Sequence, residues 1–113
     1  MSGFNEFWDA AEAWQFQQFG SRITRGPLGP LKHLEKEAKE AQAALEYFDG
    51  RGEYLNELVD CLHFLVEASW RAGITREEFL AAAHAKLSKN KARKWGAPVE
   101  GQPCEHIKEE PHA

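Results

Sequence analysis

Sulfur is scarce in this sequence, and its placement excludes the usual uses of it. The 113 residues contain two cysteines, Cys61 within a helical apolar pattern and Cys104 in a proline-containing tail. That spacing gives neither a disulfide framework nor a zinc-ligand set, so a reducing compartment is expected. Long apolar runs are missing too. No stretch approaches the roughly 20 residues of a membrane span, and "MSGFNEFWDAAEAW" lacks a basic segment leading into an apolar one. The expectation is a cytoplasmic protein without a membrane partner. Positive charge is in deficit: 14 Lys and Arg against 18 Asp and Glu leave a net charge of −4. Nucleic acid, which demands a basic surface, is therefore not expected as a partner. Neither G-x-x-x-x-G-K-[ST] nor G-x-G-x-x-G occurs, which excludes a P-loop enzyme.

What the chain does have is large aromatic side chains, four Trp and seven Phe, enough to build one core in a short domain. Its length fits a single domain over 1–113. Helical periodicity recurs four times and no alternating strand pattern competes with it, so an all-α antiparallel bundle of about four helices is predicted. The first segment runs from Asn5 to Phe19, with Phe7, Ala11, Trp14 and Gln18 as its inward stripe and Gly20 as a stop. "GSRITRGPLGP" is a loop carrying Arg22 and Arg25. The second helix starts at Pro30 or Leu31 and continues through Phe48. The third, Glu53 to Ala72, shows a broad apolar face of Leu55, Leu58, Val59, Leu62, Leu65, Val66 and Ser69, closed by Gly73. The fourth opens on a Thr75–Glu78 capping box and runs to about Lys94. From Gly96 the tail is rich in Pro, Gly and charge, and either wraps or dangles.

Two of these helices carry paired carboxylates. Glu37 and Glu40 lie three apart on the second, Glu57 and Asp60 three apart on the third, so each pair shares one helix face. If the helices are neighbours, four acids converge, and their mutual repulsion calls for a cation. Oxygen ligands without a compact His or Cys cluster favour Mg²⁺ or Mn²⁺ over Zn²⁺. A di-iron site would need Glu-x-x-His on two helices, and the chain offers only Asp60-x-x-His63 and, in the tail, Glu109-x-x-His112. "KLSKNKARKW" then sets Lys86, Asn90 and Arg93 along the end of the fourth helix, where cations complement the macrodipole and can also meet phosphate oxygens. His33, one turn before Glu37, faces the same seam and is the best placed of the histidines for a substrate contact.

E-x-x-E, then E-x-x-D after 16 intervening residues, then a Lys/Asn/Arg stretch resembles the all-α nucleoside triphosphate pyrophosphohydrolases of the MazG-like superfamily. Across Phe16 to Ile107, "FQQFGS", "GPLGPLKHLEKEAKEA", "YLNELVDCLHFLVEASWRAGI" and "KLSKNKARKW" are most similar to the dATP/dGTP diphosphohydrolase domains of bacteriophages, the MazZ-like group. The resemblance implies metal ligation and catalysis by Glu37, Glu40, Glu57 and Asp60, and phosphate contacts from Lys86, Asn90 and Arg93. It implies a deoxynucleoside triphosphate cleaved to monophosphate and pyrophosphate with Mg²⁺, for which Mn²⁺ can substitute. It also implies a homo-oligomer, dimer or tetramer. Two other readings remain open on the residues: a pyrimidine or housecleaning pyrophosphohydrolase using the same acids, and a non-catalytic helical nucleotide-binding module.

Overall fold

The computed structural model describes residues 3–21, 25–47 and 50–108. Among these residues four helices make it all-α, as expected: α1 (Phe4–Phe19), α2 (Leu28–Tyr47), α3 (Arg51–Arg71) and α4 (Arg76–Ala92). Among the described residues no helix is long and apolar enough to cross a membrane. The chain divides into two compact units, residues 1–79 and 80–113. Arg22 and Phe48, read above as a loop cation and a helix residue, lie outside the described residues, as do Glu109 and His112.

In the first unit α3 packs against both α1 and α2. His33 meets Phe64 while Glu37 meets Glu57, so numbers rise along α2 as they fall along α3 and the pair is antiparallel. Phe7 meets His63 and Phe16 meets Trp70, so α1 runs in the same direction as α3. Trp8, Ala11, Val66 and Trp70 form the core, with Phe7, Leu62 and Phe79 packed around it.

The inward stripe of α1 is not the predicted Phe7, Ala11, Trp14 and Gln18. Trp8, Ala11 and Gln15 are buried, and Trp14 is 54% exposed. The polar Gln15 can go inside because both ends of its amide are used: Nε2 donates to the His63 carbonyl at 2.9 Å, and Oε1 accepts from Trp70 Nε1 at 2.8 Å. Gln15→Leu should therefore destabilise the chain by about 1–3 kcal/mol, since it strands a buried indole N–H and a carbonyl while adding apolar volume. Urea unfolding reads this directly.

The second helix begins two to three residues earlier than predicted. Pro30 sits inside its first turn, and the first backbone bond after it is Leu31 N–H to Pro27 O, so the N–H that proline lacks has no helical partner to lose. Ala41 and Ala44 are the buried small residues of α2, and small residues let helix backbones come close. The third helix ends as predicted at Gly73, which has φ 79° and donates to Trp70 O while Ile74 N–H reaches back to Ser69 O. This closure needs a left-handed residue, which glycine supplies. Only part of the third helix's predicted apolar face is covered: Val66 and Ser69 are buried, whereas Leu55, Leu58 and Val59 are exposed. The Thr75–Glu78 capping box is present in both directions, with Glu78 N–H on Thr75 Oγ1 and Thr75 N–H on Glu78 Oε1.

In the second unit α4 continues from Leu80 to Ala92, and the tail turns back rather than dangling. Trp95 and His106 form an isolated antiparallel bridge, flanked by Gly96 N–H to Glu105 O and Ile107 N–H to Lys94 O. The Trp95 indole N–H caps the Asn90 carbonyl at 2.9 Å.

Candidate metal centre

Three of the four predicted acids meet. Glu37 and Glu40 come from adjacent turns of α2, Glu57 from the facing turn of α3, and one carboxylate oxygen of each lies within 4.8 Å of the others. Glu37 Oε2 and Glu57 Oε2 are buried, and in the ionised state no donor among the described residues reaches them. Ionised carboxylates only accept, so this is a cluster of acceptors with no donor. Two unit charges 4 Å apart repel by about 4 kcal/mol at an effective dielectric of 20. Such an arrangement persists only if a proton or a cation joins it.

Without a cation the proton goes to Glu37. Its pKa is raised from the ordinary 4.5 to about 7, first by the hydrogen bond it shares with Glu57, then by burial and by Glu40. The protonated form is thus favoured in the fold, so this group's contribution to metal-free stability is complete below 4.5 and is lost as pH rises through about 7. With chelator present the melting temperature should fall between pH 5 and pH 8. A divalent cation competes with that proton, so its affinity should rise as pH climbs toward 7 and level off above it, which calorimetry at two pH values would show.

The donor set fits a hard cation. All three candidate donors are carboxylate oxygens, the choice of Mg²⁺ and Mn²⁺ rather than of Zn²⁺. Cys61 is half-buried nearby, but burial, followed by the charges of Glu37, Asp60 and Glu57, pushes its thiol pKa up, away from the thiolate a metal or electrophile would need. Asp60 itself lies one turn beyond Glu57, exposed and outside the converged group.

The other predicted residues fall as follows. His33 stacks on Phe64 of α3 with ring centroids 4.3 Å apart, in the seam that holds the acids. Asn90 and Arg93 belong to the second unit and are joined, Arg93 Nη1 donating to Asn90 Oδ1 at 3.1 Å; Lys86 is exposed on the turn before them. Trp14 leans edge-on against Phe19 at 5.4 Å, and the Arg25 guanidinium stands over the Phe19 ring. Sequence reasoning missed one pair. Glu67 is buried and accepts from Arg71 Nε at 2.8 Å, and Arg71 Nη1 donates to the carbonyls of Ser21 and Arg25. The signal was available: an i, i+4 Glu–Arg pair at the apolar end of α3.

Carboxylates converging in a helix seam, with no other ligand type, make the kind of site that recruits hard divalent cations to phosphate oxygens. The chain belongs to the dATP/dGTP pyrophosphohydrolase family, whose sequence profile matches residues 7–113. A stretch of 57 residues, 50% of this chain, is 40% identical to the Eaa protein of Salmonella phage P22 and spans only 18% of that protein's length. The fold is shared with the MazG-like pyrophosphohydrolase of cyanophage S-2L, solved bound to dGDP and three catalytic Mn²⁺ ions per active site. The TM-score is 0.67 at 23% identity, over 96% of this chain and 100% of that one.

Proposed function

We propose that this chain hydrolyses the purine deoxynucleoside triphosphates dATP and dGTP to monophosphate and pyrophosphate in a Mg²⁺- or Mn²⁺-dependent reaction. The observation that carries the reading is the donor-free meeting of Glu37, Glu40 and Glu57 with two orphaned buried oxygens. These three, together with Asp60 from the next turn, would hold the ions. When bound, the cations supply Lewis-acid polarisation of the phosphoryl oxygens and lower the pKa of water. The carboxylates orient the attacking water and take its proton. The water oxygen bonds to the α-phosphorus, the bond between that phosphorus and the bridging oxygen breaks, and the electron pair leaves with pyrophosphate. Lys86, Asn90 and Arg93 contribute phosphate contacts; the hydrogen bond that already joins Asn90 to Arg93 supports their acting as a unit.

The reaction would control nucleotide pools in a cytoplasm, that of the host if a phage encodes the chain. In a phage that replaces adenine by diaminopurine it would deplete dATP and provide dGMP. A homo-oligomer, dimer or tetramer, is part of the same reading, and the exposed Leu55, Leu58 and Val59 on α3 supply the apolar surface for it. Incubating the purified chain with each common dNTP and NTP in Mg²⁺, and resolving products by mass, tests the proposal. Monophosphate and pyrophosphate from dATP and dGTP are expected. Turnover confined to pyrimidines would discard the purine assignment, and nucleotide binding without hydrolysis in either metal would favour a binding module.

A further inference from the structure

A cavity of about 630 Å³ lies wholly within the unit of residues 80–113, and its size is that of a ligand pocket. Its walls are Ala92, Arg93, Lys94, His106, Ile107 and Lys108. Two short segments supply them, the end of α4 and the returning tail, and the fold fixes one against the other. Ile107 N–H donates to Lys94 O at 2.7 Å and Gly96 N–H to Glu105 O at 2.9 Å, on either side of the Trp95–His106 bridge, whose rings meet edge to face at 5.8 Å. The Trp95 indole ties this pair to the Asn90 carbonyl. Between the segments the chain reverses through a turn in which Gln102 N–H reaches Val99 O and Gly101 takes φ 77°, a left-handed value that suits glycine. The side chains of residues 93–94 and 106–108 are therefore held around one space.

What gathers there is positive. Arg93, Lys94 and Lys108 contribute fixed cations and His106 a ring that can donate, while among the described residues no carboxylate lines the space and none of the three cations is ion-paired. Like charges held together without an acid repel, and an anion between them turns that repulsion into attraction. Arg93 spends Nη1 on Asn90 Oδ1, which orients the guanidinium and leaves the rest of its fork for a ligand. The lysines are flexible point charges that can close on the same ligand from the two segments. A small anion with a single charge meets one or two such groups at a time. Two linked phosphates spread charged oxygens far enough for several donors to bind at once, each through a charge-assisted hydrogen bond. Arg93 is one of the phosphate contacts proposed above, whereas Lys94, His106 and Lys108 lie beyond α4 and have no part in that reading.

We infer that the returning tail builds a binding site for a linked pair of phosphates, in which Lys94, His106 and Lys108 join Arg93 and no divalent cation is needed. The inference stands apart from the hydrolytic reading, because its test is an equilibrium measurement made in chelator, where that reading allows no turnover. Calorimetry of the full chain with inorganic pyrophosphate, at fixed ionic strength, should show binding at least about tenfold tighter than that of inorganic orthophosphate. The double variant Lys94→Gln with Lys108→Gln, at two exposed positions, should weaken pyrophosphate binding about tenfold or more. Lys32→Gln with Arg51→Gln removes the same charge from exposed positions of the other unit and should leave the affinity within about twofold of the parent's. Equal affinities for pyrophosphate and orthophosphate overturn the inference, as do equal losses in the two double variants or the absence of binding. Free pyrophosphate and the terminal phosphates of a nucleotide share this chemistry, and competition separates them. Displacement of bound pyrophosphate by dGTP but not by dGMP assigns the site to a nucleotide's phosphate chain, and failure of both to displace it assigns the site to free pyrophosphate. Displacement by dGMP as effective as that by dGTP would show that one phosphate suffices and would overturn the inference.

Discussion

Glu40→Ala should leave a folded chain that turns over dATP and dGTP at no more than about a hundredth of the parent's rate, the scale on which removal of one group that stabilises transition-state charge acts. Glu40 lies at the exposed side of the cluster and adds to the strain on Glu37, raising its pKa both by hydrogen bonding and by charge. Deleting it therefore relieves repulsion. The melting temperature measured in chelator should be equal to or higher than the parent's, while the increase that Mn²⁺ produces in the parent should shrink. Loss of activity with unchanged or improved metal-free stability is the signature of a ligand. Activity above about a tenth of the parent's would remove Glu40 from the site.

The largest effect on folding is expected at Arg71. Its side chain is fully buried and holds Glu67 at 2.8 Å, and it also bridges to the backbone carbonyls of Ser21 and Arg25 and stacks over Trp70 at 4.4 Å. Arg71→Met keeps the stem and removes the charge, leaving a buried carboxylate without its cation and taking one donor from each of two loop carbonyls, of which that of Ser21 keeps the Arg25 N–H. Breaking a buried pair on one side costs about 3–5 kcal/mol, a large share of a small domain's stability. Urea unfolding of the variant should show a midpoint shift of that size, and the double variant with Glu67→Leu should recover part of it, because no unpaired charge then remains inside. A loss below about 1 kcal/mol would mean that the pair is solvated and does not tie the α1–α2 loop to α3.

These two sites differ in how far the sequence disclosed them. The acids proposed to hold the metal are legible because i, i+3 spacing on consecutive helices forces each pair to one face, and the packing of α2 on α3 brings three of the four together. Arg71 and Glu67 are not legible in this way, since hydropathy carries no information on whether a charge has found a partner. The face of α1 was missed for a related reason. Trp8 and Trp14 are equally apolar and lie about a third of a turn apart around the helix, and the residue that decides between them is Gln15, a polar side chain that goes inside only because Trp70 and His63 satisfy it. On α3 the apolar face is wider than one chain can cover, so periodicity alone does not separate the side on Trp8 from the exposed side carrying Leu55 and Val59.

If the Glu37–Glu40–Glu57 cluster directs water to the α-phosphorus of a purine deoxynucleoside triphosphate, the oxygen of that water must end in the monophosphate. Turnover of dGTP with Mg²⁺ in ¹⁸O-labelled water, followed by mass analysis of both products, shows where it goes. One labelled oxygen is expected in dGMP and none in pyrophosphate. Label in pyrophosphate, release of dGDP with inorganic phosphate, or equal turnover by Glu57→Gln would contradict it.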